Sequence, residues 1–248
     1  MALLRTANPA LRPKAFDSVR TDADAALAMT LQGTVNKTGI LLTLTAISAA
    51  YTWNTYHTNP SAALSWLFVG LIGGFIVAMV TVFKKEWAVV TAPIYAVLEG
   101  LLLGALSATF EASYPGVAIQ AVGLTFGTLL ALLIAYTSGL VKATAKFKLG
   151  VIAATGGIAL VYLATLGLGF FGVQVPYIYG SGTVGILFSL FVVVIAALNL
   201  VLDFDLIETG VASGAPKFME WYCAFGLLVT LVWLYIEILR LLVKLRRR

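Results

Sequence analysis

The 248-residue sequence holds one cysteine, one histidine and few charges: 11% of its residues are Asp, Glu, Lys or Arg, where a soluble domain carries about a quarter. Each shortage excludes something. Cys223 alone rules out an internal disulfide. His57, beside Asn59 and Pro60 in a connection between apolar runs, leaves no Ser–His pair for nucleophilic chemistry. No His/Cys/Asp cluster has metal-ligand spacing, and no glycine-rich loop follows a strand. Lys217 and Lys244 lie at the edges of the last apolar run, so a retinal-type Schiff-base lysine inside it is missing. An intramembrane aspartyl protease needs aspartates on two facing helices, and there is one aspartate cluster. The chain is not expected to be an enzyme. The first 37 residues are polar, without an apolar core before a cleavage site, so no signal peptide is expected.

What the chain has instead is apolar length. It is 60% hydrophobic, with a mean hydropathy of +0.98. Apolar segments run over roughly 39–56, 63–83, 88–110, 117–137, 149–171, 183–207 and 217–243, each able to cross a hydrocarbon layer of about 30 Å as a helix. They are too long and too uniformly apolar for barrel strands. The expected fold is all-α: a polytopic membrane protein in the lipid bilayer with seven transmembrane helices. A cytoplasmic N-terminal arm is expected over 1–37 and a transmembrane domain over 38–248. Within the arm, "NPALRPKAF" reads as irregular, and "TDADAALAMTLQGTV" as a surface helix leading into the first span.

The net charge of +5 is an orientation signal, not a nucleic-acid footprint. Lysines and arginines precede span one and fill the connections after spans two, four and six, whereas "HTNPSA", "EASYPG" and "GVQVPYIYGSG" have none. The positive-inside rule then places the N-terminus in the cytoplasm. Seven full spans put the terminal "KLRRR" outside, against that rule; a re-entrant last segment keeps it inside. About 26 residues suffice to cross with some tilt, which favours seven crossings.

Ionisable groups within spans are costly and mark function by default. Here they are all acids: Glu99 in span three, Asp203 and Asp205 at the end of six, Glu220 and Glu237 in seven, with no Lys, Arg or His in mid-span to pair with them. Burial disfavours the charged form of a carboxyl group, so such groups either take up protons or hold cations. Glu99 sits near mid-span, followed by Gly100 and Gly104 at a spacing that lets a neighbouring helix come close. It reads either as a packing group or as part of an ion or proton route. Asn199 and Asp203, four residues apart, share a helical face expected to look into the bundle. Asp205 and Glu208 share another, nearer the cytoplasmic interface. Glu220 enters span seven at a depth like that of Asp203 leaving span six, so the two are expected to meet and to share a proton or a cation. Glu237 and Arg240 are spaced for an (i, i+3) ion pair. The glycine pairs 73/74, 156/157 and 167/169 are expected at close-packing positions.

The stretches "TAPIYAVLEGLLLGALS", "NLVLDFDLIETG" and "GAPKFMEWYCAFGLLVTLVWLYIEILRLL", with "NPALRPKAF" and "MTLQGTVNKTGILL" upstream, resemble the Bax inhibitor-1/YccA family, specifically its bacterial Bax-inhibitor-like branch. The resemblance runs over nearly the whole chain. It implies a central seventh helix wrapped by six others, in the bacterial inner membrane, and a pH-sensitive calcium leak gated by aspartates from helices six and seven. Asp203 matches the helix-six aspartate, and the span-three glutamate is Glu99. Segment seven contains no aspartate; Glu220 or Glu237 is the substitute, with Glu220 preferred on depth. The expectation is a cation leak without cofactor beyond a weakly bound calcium ion at Asp203 and Glu220, since hard cations prefer carboxylate oxygens. The rival is a non-conducting regulator of partner membrane proteins, such as a quality-control protease or a cell-death factor.

Overall fold

The computed structural model describes residues 28–172, 178 and 180–247; most of the expected N-terminal arm, residues 1–27, lies outside that range. Seven helices follow in order: α1 Leu31–Thr58, α2 Pro60–Phe83, α3 Ala88–Ser113, α4 Val117–Thr137, α5 Ala145–Phe170, α6 Thr183–Ala212 and α7 Met219–Arg246. Six of them, all but α1, are long and apolar enough to cross a membrane. No strand occurs among the described residues.

Local chemistry sets the helix ends. The Thr30 side chain caps α1 by accepting from the Gly33 amide, so the helix starts seven residues before the expected boundary at 38. Asn59 alone joins α1 to α2: its side chain accepts from the Ala62 amide, and Pro60 occupies the first turn, where a missing N–H costs nothing. His57 consequently belongs to the last turn of α1. At the α3–α4 turn Gly116 adopts φ +82°, and the Glu111 carboxylate accepts from the amides of Gly116 and Ala118. An acid thus covers the free N–H groups at the start of α4.

Helix α7 is the axis. In its most apolar window 61% of residues are buried inside the protein, against at most 44% in any other candidate span, and it packs on α1, α3, α4 and α6. It crosses the bundle completely. Its first turn lies beside the start of α1, where the Met29 amide donates to the Ala215 carbonyl at 2.7 Å. Its last turn lies at the α3–α4 connection, where Arg246 donates to the Pro115 carbonyl and Arg247 to the Tyr114 hydroxyl. The bundle therefore has a Thr30 end and a Tyr114 end, and α7 does not re-enter.

Helix α1 is built inside out. Its buried residues are Thr34, Thr38, Leu41, Thr45, Ser48 and Thr52, one stripe at spacings of four and three, while Val35, Ile40, Ile47 and Tyr51 face outward. Hydroxyls bury here at little cost because each bonds back to a carbonyl one turn earlier. The stripe lies on Gly100 and Gly104 of α3. A Cβ at Gly100 would overlap the Ser48 hydroxyl, and one at Gly104 the Ala49 carbonyl, as expected for small residues at a close crossing. Gly70 of α2 makes a similar approach to the backbone of α3. The expectation for α5 fails. A methyl group at Gly156, Gly157, Gly167 or Gly169 would have nothing within 4 Å among the described residues, because α5 packs mainly on α6, meets α7 through Tyr162, and turns these glycines outward.

Candidate functional site

Of the five acids within the spans, three have cations as partners. Glu220 is fully buried and the most heavily tied: Lys37 and Lys217 form ion pairs with it, and the Thr30 amide and hydroxyl donate to Oε1 at 2.8 and 2.9 Å. Gly33 makes the room, since any side chain there would run into the carboxylate. Asp205 pairs with Lys148 of α5. Glu237, 2% exposed, forms the expected pair with Arg240 at 3.1 Å and also accepts from the Tyr162 hydroxyl at 2.9 Å. The expectation that no cation pairs with these acids is corrected for Glu220 and Asp205, and stands for Glu99 and Asp203 among the described residues. Lys37 belongs to the second turn of α1 and not to the arm, and Arg240 and Lys244 lie on α7 itself and not beyond its end. The repeat Glu237, Arg240, Lys244, at spacings of three and four, is the visible sign in the sequence that they share a face.

The expected meeting of Asp203 and Glu220 does not occur. No hydrogen bond or ion pair joins them among the described residues, and Glu220 is already saturated by Lys37, Lys217 and Thr30, so the two form no shared proton or calcium site. Asp203 instead faces the Thr230 hydroxyl and lies near Cys223, both on α7. Asn199, expected beside Asp203, donates to Thr155 of α5 and to the Ile195 carbonyl, each at 2.8 Å. Glu208 is exposed and accepts from the Tyr136 hydroxyl.

Two carboxylates remain incompletely bonded. Glu99 Oε2 and Asp203 Oδ2 are buried and have no hydrogen-bond partner, the only such side-chain atoms among the described residues. Both acids have one hydroxyl neighbour, Tyr95 for Glu99 and Thr230 for Asp203. Counting along the helices, each lies roughly 15 Å from the Thr30 end. They are on different sides of α7. Tyr95 stacks edge-on against Phe225 at 4.9 Å, while Asp203 lies by Cys223, and two helical residues that are two apart in sequence point about 200° apart. Gly74 of α2 clears the space beside Glu99, its methyl position lying 3.2 Å from Oε1.

Polar side chains also run lengthwise between α5, α6 and α7. From the Thr30 end they are Lys148 with Asp205, Asp203 with Thr230, Asn199 with Thr155, then Tyr162, Glu237 and Arg240. The series closes at Lys244, 4% exposed, whose ammonium donates to the Ile178 and Gly185 carbonyls at 2.6 and 3.1 Å and to the Ser189 hydroxyl at 2.8 Å. No group of three or more His, Cys, Asp or Glu among the described residues is arranged to hold a metal ion.

A seven-helix bundle around a central apolar helix, with acids buried at mid-depth, defines a multi-pass α-helical membrane protein. The Bax inhibitor 1 like family model matches residues 8–247, and the chain belongs to that family. No curated protein and no solved structure matches it.

Proposed function

We propose that the protein is a pH-sensitive cation leak, with calcium as the cargo, in the bacterial inner membrane with its N-terminus in the cytoplasm. The observation that carries this reading is the pair of buried carboxylate oxygens without partners, on Glu99 and Asp203. A buried acid lacking a donor is uncharged when protonated and needs a cation when ionised. Each can thus exchange a proton for a passing cation, and Asp203 stands within the polar series along α5, α6 and α7. Two oxygens and a hydroxyl are far fewer than the six to eight ligands of a tight calcium site, which suits transit over storage.

The test is calcium flux into proteoliposomes measured from about pH 5 to about pH 8. Wild type is expected to show pH-dependent flux, and Asp203→Asn or Glu99→Gln to flatten that dependence while the fold survives. Folded protein that carries no calcium at any pH ends the leak reading.

One observation favours the rival, a non-conducting regulator of partner membrane proteins. Lys244 has no acid at ion-pair distance among the described residues, and with Arg240 it leaves the Tyr114 half of the polar series net positive. A fixed positive charge opposes cations in a narrow path. If cations do follow this path, Lys244→Gln is expected to raise flux severalfold. Under the regulator reading it changes no flux, and deleting the first 30 residues or so abolishes activity instead.

A further inference from the structure

A groove of about 460 Å³ opens on the flank of the bundle, in the half towards the Tyr114 end. Helices α1 and α4 form its two walls without substantial contact with each other, and α3 and α7 form its floor. Small residues, Ala46, Ala49 and Ala50, open the α1 wall, while Ile119, Val122 and Phe126 line the α4 wall. Its size falls in the range of small-molecule sites.

The lining is apolar, and its hydroxyls and its carboxylate already have partners. Ser107 and Tyr235 bond each other at 2.6 Å, Thr45 donates to the Leu41 and Ala96 carbonyls, and Thr125 donates to Ala121. Both Glu111 oxygens accept amides of the α4 start. Of the polar groups inside, the Trp53 indole N–H is the one left to donate among the described residues. Ala46 and Ala50 on one wall and Ile119, Val122 and Phe126 on the other lie on a face that the other described residues leave exposed.

The end of the groove at Glu111 is different. Glu111 is bonded to Gly116, and Arg246 lies against Pro115 and Gly116, with Arg247 on Tyr114. The rim thus holds two guanidiniums and one carboxylate that is already satisfied, a net positive edge at the Tyr114 end of the bundle. Arginine prefers phosphate as a partner because its planar fork matches the oxygens.

We infer that this groove binds one anionic phospholipid of the leaflet at the Tyr114 end, its acyl chain lying between α1 and α4 and its phosphate at Arg246 and Arg247. Apolar surface buried in a groove does not distinguish lipids from one another; the basic rim does. Basic residues near anionic lipid contribute about 1 kcal/mol each, which is roughly fivefold in affinity per arginine.

Native mass spectrometry tests this on full-length protein released from nanodiscs that contain equal amounts of phosphatidylglycerol and phosphatidylcholine with identical chains. Wild type is expected to retain one lipid, with phosphatidylglycerol favoured at least about fivefold. Ala46→Phe/Ala50→Phe fills the groove from two exposed positions and is expected to lose the retained lipid while its thermal unfolding is unchanged. If that variant misfolds, Val122→Trp fills the groove from the α4 wall. Arg246→Gln/Arg247→Gln is expected to keep a lipid but lose the headgroup preference. No retained lipid in wild type, or equal retention by the filled variants, overturns the site. Equal retention of the two lipids by wild type overturns the assignment of an anionic headgroup.

Discussion

Glu220→Ala is expected to destabilise the protein by about 3 kcal/mol. The carboxylate is fully buried and ties the start of α1, through Thr30 and Lys37, to the α6–α7 connection, through Lys217, beside the Met29–Ala215 backbone bond. Its removal leaves the Thr30 amide without its acceptor and two ammonium groups without their acid. Lys37 is the costlier of the two, with a side chain 17% exposed against 49% for Lys217, which reaches water. The lower end of the range for breaking a buried pair therefore applies. In a chain of this size that corresponds to a fall in Tm of roughly 6–12 °C, measured by thermal unfolding in detergent. Glu220→Gln keeps an acceptor for Thr30 and is expected to lose less. A Tm unchanged in the alanine variant shows that the latch contributes nothing.

The second large effect is a difference of sign between two glycines. Gly104→Ala places a methyl into the Ala49 carbonyl and the Thr52 hydroxyl, with the Ala49 carbonyl carbon at 2.7 Å. Backbone cannot swing aside as a long side chain can, so α1 and α3 must separate, at a cost of about 1–3 kcal/mol. Gly156→Ala meets nothing within 4 Å and removes a flexible residue from a helix, so it is neutral or stabilising by about 0.5–1 kcal/mol. Unfolding of the two variants side by side checks this. Equal effects show that the α1–α3 crossing is not tight.

These glycines also mark how far the sequence can be read. Gly100 and Gly104 at a spacing of four, beside an in-span glutamate, announce a helix crossing, and the crossing is there. Gly156 and Gly157 are adjacent and not four apart, and they face outward; a glycine reports that a position is small but not whether a neighbour arrives. The number of helices and the acids within them follow from hydropathy, and the central place of α7 from the family resemblance. Which acids are free does not. Sequence position alone puts Lys37 in the arm and Arg240 and Lys244 at the chain end, and only the turn of the helices brings them to Glu220, Glu237 and Ser189. Asp203 and Glu220 match in depth, but depth leaves the angle around α7 undetermined, and that angle separates them. The Thr and Ser stripe of α1 is legible as a repeat of three and four, yet hydroxyls in a span read as dilution of its apolarity rather than as a buried face.

That stripe bears on how the chain is made. Helix α1 leaves the ribosome first, and of the seven it alone lacks the apolarity to hold a bilayer position by itself. Helices α2, α3 and α7 pack on it, and α7 is the last of the seven to be synthesised. The first helix is therefore covered in part as α2 and α3 emerge, and completely only when α7 arrives. Chains arrested before Met219 are expected to leave a cysteine introduced at Leu41, which shares a buried cluster with Ala224, Phe225 and Leu228 of α7, open to a membrane-impermeant thiol reagent, and completed chains to protect it. Maturation of the bundle on this account ends in a late event, closed from the C-terminal side.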